Sequence, residues 1–171
     1  MNPPIRNGKS WVFALVLFAF FVDALCKAAV SHYFLQTAYR GRELVVIHDF
    51  FGIKFSLLYA TNRGAAWGLF SQWHGWLLSL RLIAVAWLFG YMVSCSSRGR
   101  LFSIALITAG ALGNIFDSFF YGHVVDMFFF TFWGYGFAVF NVADALITVG
   151  VFLLFMSLWG ERNSPSSIGS S

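Results

Sequence analysis

The run LFSIALITAGALGNIFDSFF, residues 101–120, contains one acid, Asp117, and no base. As an α-helix, twenty residues reach about 30 Å, the thickness of a bilayer's hydrocarbon core. The run is therefore read as a membrane span with a single acid inside it. Working outward, three more stretches have the same character, at about Trp11 to Val30, Trp73 to Val93 and Ala138 to Trp159. Composition agrees: 59% of the 171 residues are apolar, 11% are charged and mean hydropathy is +0.73. A soluble domain carries about 25% charged residues, so soluble, disordered and nucleic-acid-binding classes are excluded. The net charge of +4 then bears on topology rather than on a polyanion partner.

The expected architecture is an all-α polytopic membrane protein of one domain, residues 1–162, followed by a Ser-rich disordered tail, residues 163–171. Arg6 and Lys9 before the first span give it the look of a secretory signal, but three further spans need it as a packing partner. Arg6, Lys9, Arg98, Arg100 and Arg162 flank one set of span ends, whereas the turn between the third and fourth spans has no Lys or Arg. The positive-inside rule places both termini in the cytoplasm. Arg40, Arg42, Lys54 and Arg63 in the segment 31–72 count against that orientation, and the short turns are the cleaner signal. Within this outer segment, Leu44 to Ile47 and Ile53 to Tyr59 are β-prone runs around the turn-like Asp49 to Gly52, which predicts a small outer sheet. Cys26 and Cys95 fall near opposite ends of their spans, too far apart for a disulfide. His32, His48, His74 and His123 show no metal-ligand spacing, so neither a metal nor a cofactor is expected.

Charges inside spans are costly and are functional candidates by default. Counted from the basic or acidic anchor of each span, Asp117, Asp144 and Arg81 lie 17 residues in and Lys27 lies 18. At 1.5 Å per residue all four share a depth of about 25–27 Å from the inner boundary, with Asp23 one turn deeper than Lys27. Each has a purely structural explanation as well. Asp23 with Lys27 could be a neutralising i,i+4 pair, and Arg81 could extend to the outer headgroups. Asp117 and Asp144 each follow an Asn by three residues, Asn114 and Asn141, so each helix presents an amide and a carboxylate on one face. Asp126 follows in the outer turn Gly122 to Asp126. Paired carboxyl groups repel, so one stays protonated while the other ionises. One can then activate water against a carbonyl while the other stabilises the oxyanion and protonates the leaving amine. A carboxylate-dependent transporter or proton channel uses the same residue types, and at this point both readings stand, beside a structural assembly factor in which neither aspartate matters.

The segments Asp23-Ala-Leu-Cys-Lys27, Asn62-Arg-Gly-Ala-Ala-Trp-Gly68, Gly110-Ala-Leu-Gly-Asn-Ile-Phe-Asp117, Gly122-His-Val-Val-Asp126 and Phe140-Asn-Val-Ala-Asp144 together resemble the lipoprotein signal peptidase family, or signal peptidase II. The resemblance runs from Trp11 to Trp159. It implies four transmembrane helices with cytoplasmic termini, an extracytoplasmic β-cradle, a short amphipathic helix and residence in the bacterial inner membrane. It implies a membrane aspartic endopeptidase that acts on diacylglyceryl-modified prolipoproteins; a monomer without cofactor is expected. The catalytic pair implied is Asp126 and Asp144. Supporting or substrate-binding residues are Asp23, Lys27, Asn62, Arg63, Gly64, Asn114, Asp117, Asn141 and Ala143. Small Gly64, Ala65 and Ala66, with Trp67 and Phe70, suggest a lid over the site. In two places the chain departs from the family: Ser118 stands where an Arg usually follows the acid matching Asp117, and Cys26 where a hydroxyl residue often precedes the lysine. Arg63 and Arg81 are both candidates to supply the missing positive charge.

Overall fold

The computed structural model describes residues 9–36, 42–63 and 71–162. Four helices in it are long and apolar enough to cross a membrane: α1 (Ser10–Gln36), α2 (His74–Ser94), α3 (Arg98–Phe120) and α4 (Val142–Arg162). They run alternately up and down. At one end, Lys9 Nζ reaches the last carbonyls of α2, donating to Met92 O at 3.0 Å and to Val93 O, and Arg100 Nε pairs with Glu161 Oε1 at 3.4 Å. At the other end lies a four-stranded antiparallel sheet, β1 (Leu44–Phe50), β2 (Ile53–Asn62), β3 (Val124–Phe132) and β4 (Tyr135–Gly136), in that spatial order.

The helices are apolar all round because lipid, not water, covers their outer faces. Trp11, Phe13, Leu17, Phe18, Phe21 and Leu25 of α1 are exposed. Its buried stripe is Val12, Val16, Ala19, Asp23, Lys27 and Phe34, spaced three, four or seven residues apart. The helix thus turns its two charges inward. α3 is the central helix: 72% of its most apolar window is buried, against 28%, 17% and 11% for α1, α2 and α4. Small residues let α4 approach α3 closely. A Cβ on Gly110 would collide with the carbonyl oxygen of Ala143, and one on Gly113 with Asp23 Oδ2.

The hairpin expected at Asp49 to Gly52 forms, with Phe51 and Gly52 at positive φ and Asp49 Oδ1 accepting from Gly52 N at 2.7 Å. Residues 122–126, expected to be a turn, only begin as one. β3 starts at Val124 and crosses the sheet, because Val124-Val-Asp-Met-Phe-Phe-Phe-Thr-Phe132 is a β-prone run whose rings stack on β2: Phe55 lies 4.7 Å from Phe130. Two span boundaries also shift. α1 continues six residues past Val30, burying Phe34, and α4 starts at Val142 rather than Ala138. The apolar residues Ala138, Val139 and Phe140 ahead of Asn141 are extended because Phe140 pairs with β3, its carbonyl accepting from Phe128 N at 2.8 Å. Beyond the spans, the described residues hold one short 3₁₀ turn, Ser71–Trp73. Gly64, the lid segment, the tail and any amphipathic helix within 37–41 or 64–70 lie outside the described residues.

The close α3/α4 contact predicts that Gly110→Ala lowers unfolding stability in detergent by about 1–3 kcal/mol, the usual cost of overpacking. Gly90, with open space around it, is the control: Gly90→Ala should leave stability unchanged or raise it slightly.

Candidate active site

The site is assembled around a buried ammonium. Lys27 Nζ forms ion pairs with Asp23 Oδ2 at 2.7 Å and Asp117 Oδ2 at 2.9 Å and donates to Asn114 Oδ1 at 3.1 Å. Lys27, Asp23, Asp117 and Asn114 are all at most 5% exposed. Each partner of the lysine then holds another element. Asp23 Oδ1 accepts from Ala143 N at 2.8 Å, fixing the start of α4, and Asp117 Oδ2 accepts from Val125 N at 3.2 Å, fixing β3. Asn114 Nδ2 donates to Asp144 Oδ1 at 2.8 Å.

Asn141 joins the two outer carboxylates. Its Oδ1 accepts from Asp144 N at 2.8 Å, an N-cap that starts α4 and places Asp144 in the first turn, where the helix dipole favours negative charge. Its Nδ2 donates to Asp126 Oδ1 at 2.7 Å, with longer contacts to Asn114 Oδ1 and Val125 O, both 3.2 Å. Asn62 Nδ2 donates to the other oxygen of Asp126 at 3.2 Å. The register explains why: Asn62 pairs with Val124 and Ala60 with Asp126, so Asn62 and Asp126 are diagonal neighbours on one face.

Because side chains alternate along β3, Val124 and Asp126 face one cavity and Val125 another. The first, about 550 Å³, is lined by Asp126, Asp144, Asn62, Asn114 and Arg81, with apolar walls that include Phe140 and Ile147. The second, about 470 Å³, lies against α1 and α3, where Lys27, Asp117, Tyr59 and His123 meet Phe21, Leu25 and Leu35. Asp117 therefore lines the second cavity and braces Lys27 and β3, while Asp126 and Asp144 share the first. Burial and the neighbouring Asp144 push the Asp126 carboxyl up to about 7, which the amide donors of Asn62 and Asn141 and the charge of Lys27 only partly oppose.

Arg81 turns inward instead of extending to headgroups. Its Nη1 donates to Ser118 Oγ at 3.2 Å, and Ser118 Oγ donates to Asn114 O at 2.8 Å. Arg63 is exposed at the end of β2 and does not line the first cavity. The sequence reading did not include Thr148, which also lines that cavity and donates to the Asp144 carbonyl at 2.8 Å. It also left out Phe137 to Phe140, the extended wall preceding α4. The repeated phenylalanines were the available signal for that wall.

Fold and site define a polytopic membrane protein with two carboxyl groups facing one cleft beside a small sheet. A family model described as signal peptidase (SPase) II matches residues 15–160, and the chain belongs to that family. The lipoprotein signal peptidase of Nostoc punctiforme is 39% identical over 172 residues, covering 96% of this chain and 97% of its own. That of Chlamydia pneumoniae is 33% identical over 150 residues, covering 85% and 88%. Two solved structures described as bacterial membrane enzymes share the fold. One has a TM-score of 0.77 and 27% identity over 90% of each chain. The other has a TM-score of 0.72 and 28% identity over 87% of this chain and 92% of its own.

The raised Asp126 value has a consequence for stability. An ordinary carboxyl at 3.8 loses its proton on unfolding, whereas the folded state keeps it until about pH 7, so stability falls as pH rises across that window. Asp126→Asn removes the burden of a buried charge. Its melting temperature should exceed the wild type's by more at pH 8 than at pH 5, with an effect on the order of 2–4 kcal/mol.

Proposed function

We propose that the protein is an aspartic endopeptidase that removes signal peptides from diacylglyceryl-modified prolipoproteins, cutting on the amino side of the lipidated cysteine. The observation that carries this is the junction at Asn141: one amide side chain holds Asp126 and caps the backbone of Asp144, and both carboxyl groups open into one cavity. Membership of the signal peptidase II family makes the chain a peptidase and favours hydrolysis over solute or proton transport.

Asp126, more deeply buried, is the protonated member, and Asp144, at the positive end of a helix dipole, the ionised one. Asp144 takes a proton from a water as its oxygen attacks the scissile carbonyl carbon. The Asp126 hydroxyl donates to the oxygen that becomes negative. The C–N bond breaks as the proton held by Asp144 passes to the departing nitrogen; this restores the pair and leaves a carboxylic acid on the signal peptide, whose proton then passes to the new amine or to water. Asn62, Asn114 and Asn141 hold both groups in place, and Lys27, Asp23, Asp117 and the backbone of Ala143 hold the asparagines and the strand. Arg63 and Gly64 follow Asn62 in the sequence, and their proposed role is contact with the substrate backbone.

The basic residues Lys9, Arg98, Arg100 and Arg162 gather at the end of the bundle away from the sheet. This supports cytoplasmic termini, an inner-membrane location and an active site near the outer leaflet. A lipidated cysteine anchored there by its acyl chains meets the pair without crossing the bilayer. Both carboxyl groups and the amides that hold them come from one chain, in keeping with a monomer.

Asp126→Asn and Asp144→Asn should each reduce cleavage of a diacylglyceryl-modified precursor by at least about 10³-fold, given the 10²–10⁴-fold contribution of a positioned acid or base. Detergent gel filtration should show both variants folded; cleavage within tenfold of wild type by either would remove the pair from the mechanism. Wild-type cleavage should decline as pH rises through about 7, where Asp126 loses its proton.

A further inference from the structure

Arg81 is the one basic side chain lining the first cavity among the described residues. It reaches there from α2, the helix least involved in the polar network, through a two-step anchor: its Nη1 donates to Ser118 Oγ, and Ser118 Oγ donates to the main-chain carbonyl of Asn114. Asn114 in turn donates to Asp144. The guanidinium also lies within electrostatic reach of both Asp144 and Asp126. Ser118 is the position where the resemblance to signal peptidase II leads one to expect an arginine. Here the hydroxyl at that position ties in an arginine from another helix.

We propose that Arg81, anchored by Ser118, is a positioning residue whose positive charge keeps the Asp126/Asp144 pair holding one shared proton rather than two. The proposal rests on the reading of that pair as catalytic. Two carboxyl groups in one half-buried cleft raise each other's affinity for protons, and burial raises it further. A cation is needed on the same side of the balance as catalysis, which requires one carboxylate ionised. Among the other described charges Lys27 of α1 also acts on Asp126, but its charge is already matched by two carboxylates, Asp23 of its own helix and Asp117 of α3. Tyr59 of β2 and His123, between α3 and β3, contact each other at 3.4 Å on the second cavity. Arg63 is exposed outside the first, and the other charged groups of α4, Glu161 and Arg162, lie at its far end.

The test is the pH profile of precursor cleavage by wild type, Arg81→Met, Arg81→Lys and Ser118→Ala. A unit charge several ångströms away at an effective dielectric near 20 moves a titration by about one to two pH units. Arg81→Met should move both limbs of the bell to higher pH by that amount, because losing a cation makes each proton of the pair harder to remove. Arg81→Lys should restore most of the shift, and Ser118→Ala should produce a smaller one in the same direction. A uniform loss at all pH values with unmoved limbs, or a change confined to KM, would overturn the proposal. An independent readout is the infrared carboxylic-acid band of substrate-free protein, assigned by its loss in Asp126→Asn. Its midpoint should rise in Arg81→Met; an unmoved midpoint would refute the charge effect whether or not the pair proves catalytic.

Discussion

The ammonium of Lys27 is the point on which the structure turns. A lone charge at that depth would be unfavourable by several kcal/mol, and the chain offsets this by surrounding it with two carboxylates and an amide oxygen. Each acceptor spends its remaining capacity on a different element: Asp23 on the first turn of α4, Asp117 on β3, Asn114 on Asp144. In lipid the loss of any of these would leave a buried polar group with no water to take its place. The same constraint that makes the ion cluster expensive makes its geometry singular, so that α1, α3, α4 and the sheet are fixed relative to one another by Lys27, Asp23 and Asp117 behind the cleft and by Asn114 at its wall.

The division of labour follows from where each carboxyl group sits. Asp23 and Asp117 are in direct contact with a cation and are structural anchors. Asp126 and Asp144 accept hydrogen bonds from side-chain amides, which orient them while leaving both open to the cavity. Asp144 stands on a rigid helix start and Asp126 on a strand whose register is set by β2, so the pair is built from two element types joined by Asn141. Close approach of α3 and α4 at Gly110 completes the arrangement by bringing the α4 N-terminus against Asp23.

Much of this was legible in the sequence. The four helices follow from apolar runs, the β1/β2 hairpin from a turn signal, and the shared depth of Lys27, Asp117 and Asp144 from helical rise alone, since all lie on straight elements with one known pitch. Asp117 could not be separated from Asp144 by depth, because the distinction lies in which face of β3 each one meets. β3 was hidden by its continuity with the turn at Gly122 and by a phenylalanine-rich run that suits either a strand or a buried segment. The start of α4 was misplaced because apolar residues 138–140 satisfy the composition of a span while Phe140 is committed to the sheet. The direction of Arg81 was also beyond the sequence: a long side chain near a membrane surface can extend outward or fold back, and the hydroxyl of Ser118 across the helix interface holds it inward.

The central claim is that a carboxyl pair held by this network hydrolyses one peptide bond in a lipidated substrate. The most direct test is mass spectrometry of products formed when purified protein is incubated with a precursor, with and without diacylglycerol on its cysteine. The account predicts two fragments from the lipidated form, divided on the amino side of that cysteine, whose masses sum to the precursor plus one water, and no product from the unlipidated form. An intact lipidated precursor, or cleavage elsewhere in the chain, would contradict it.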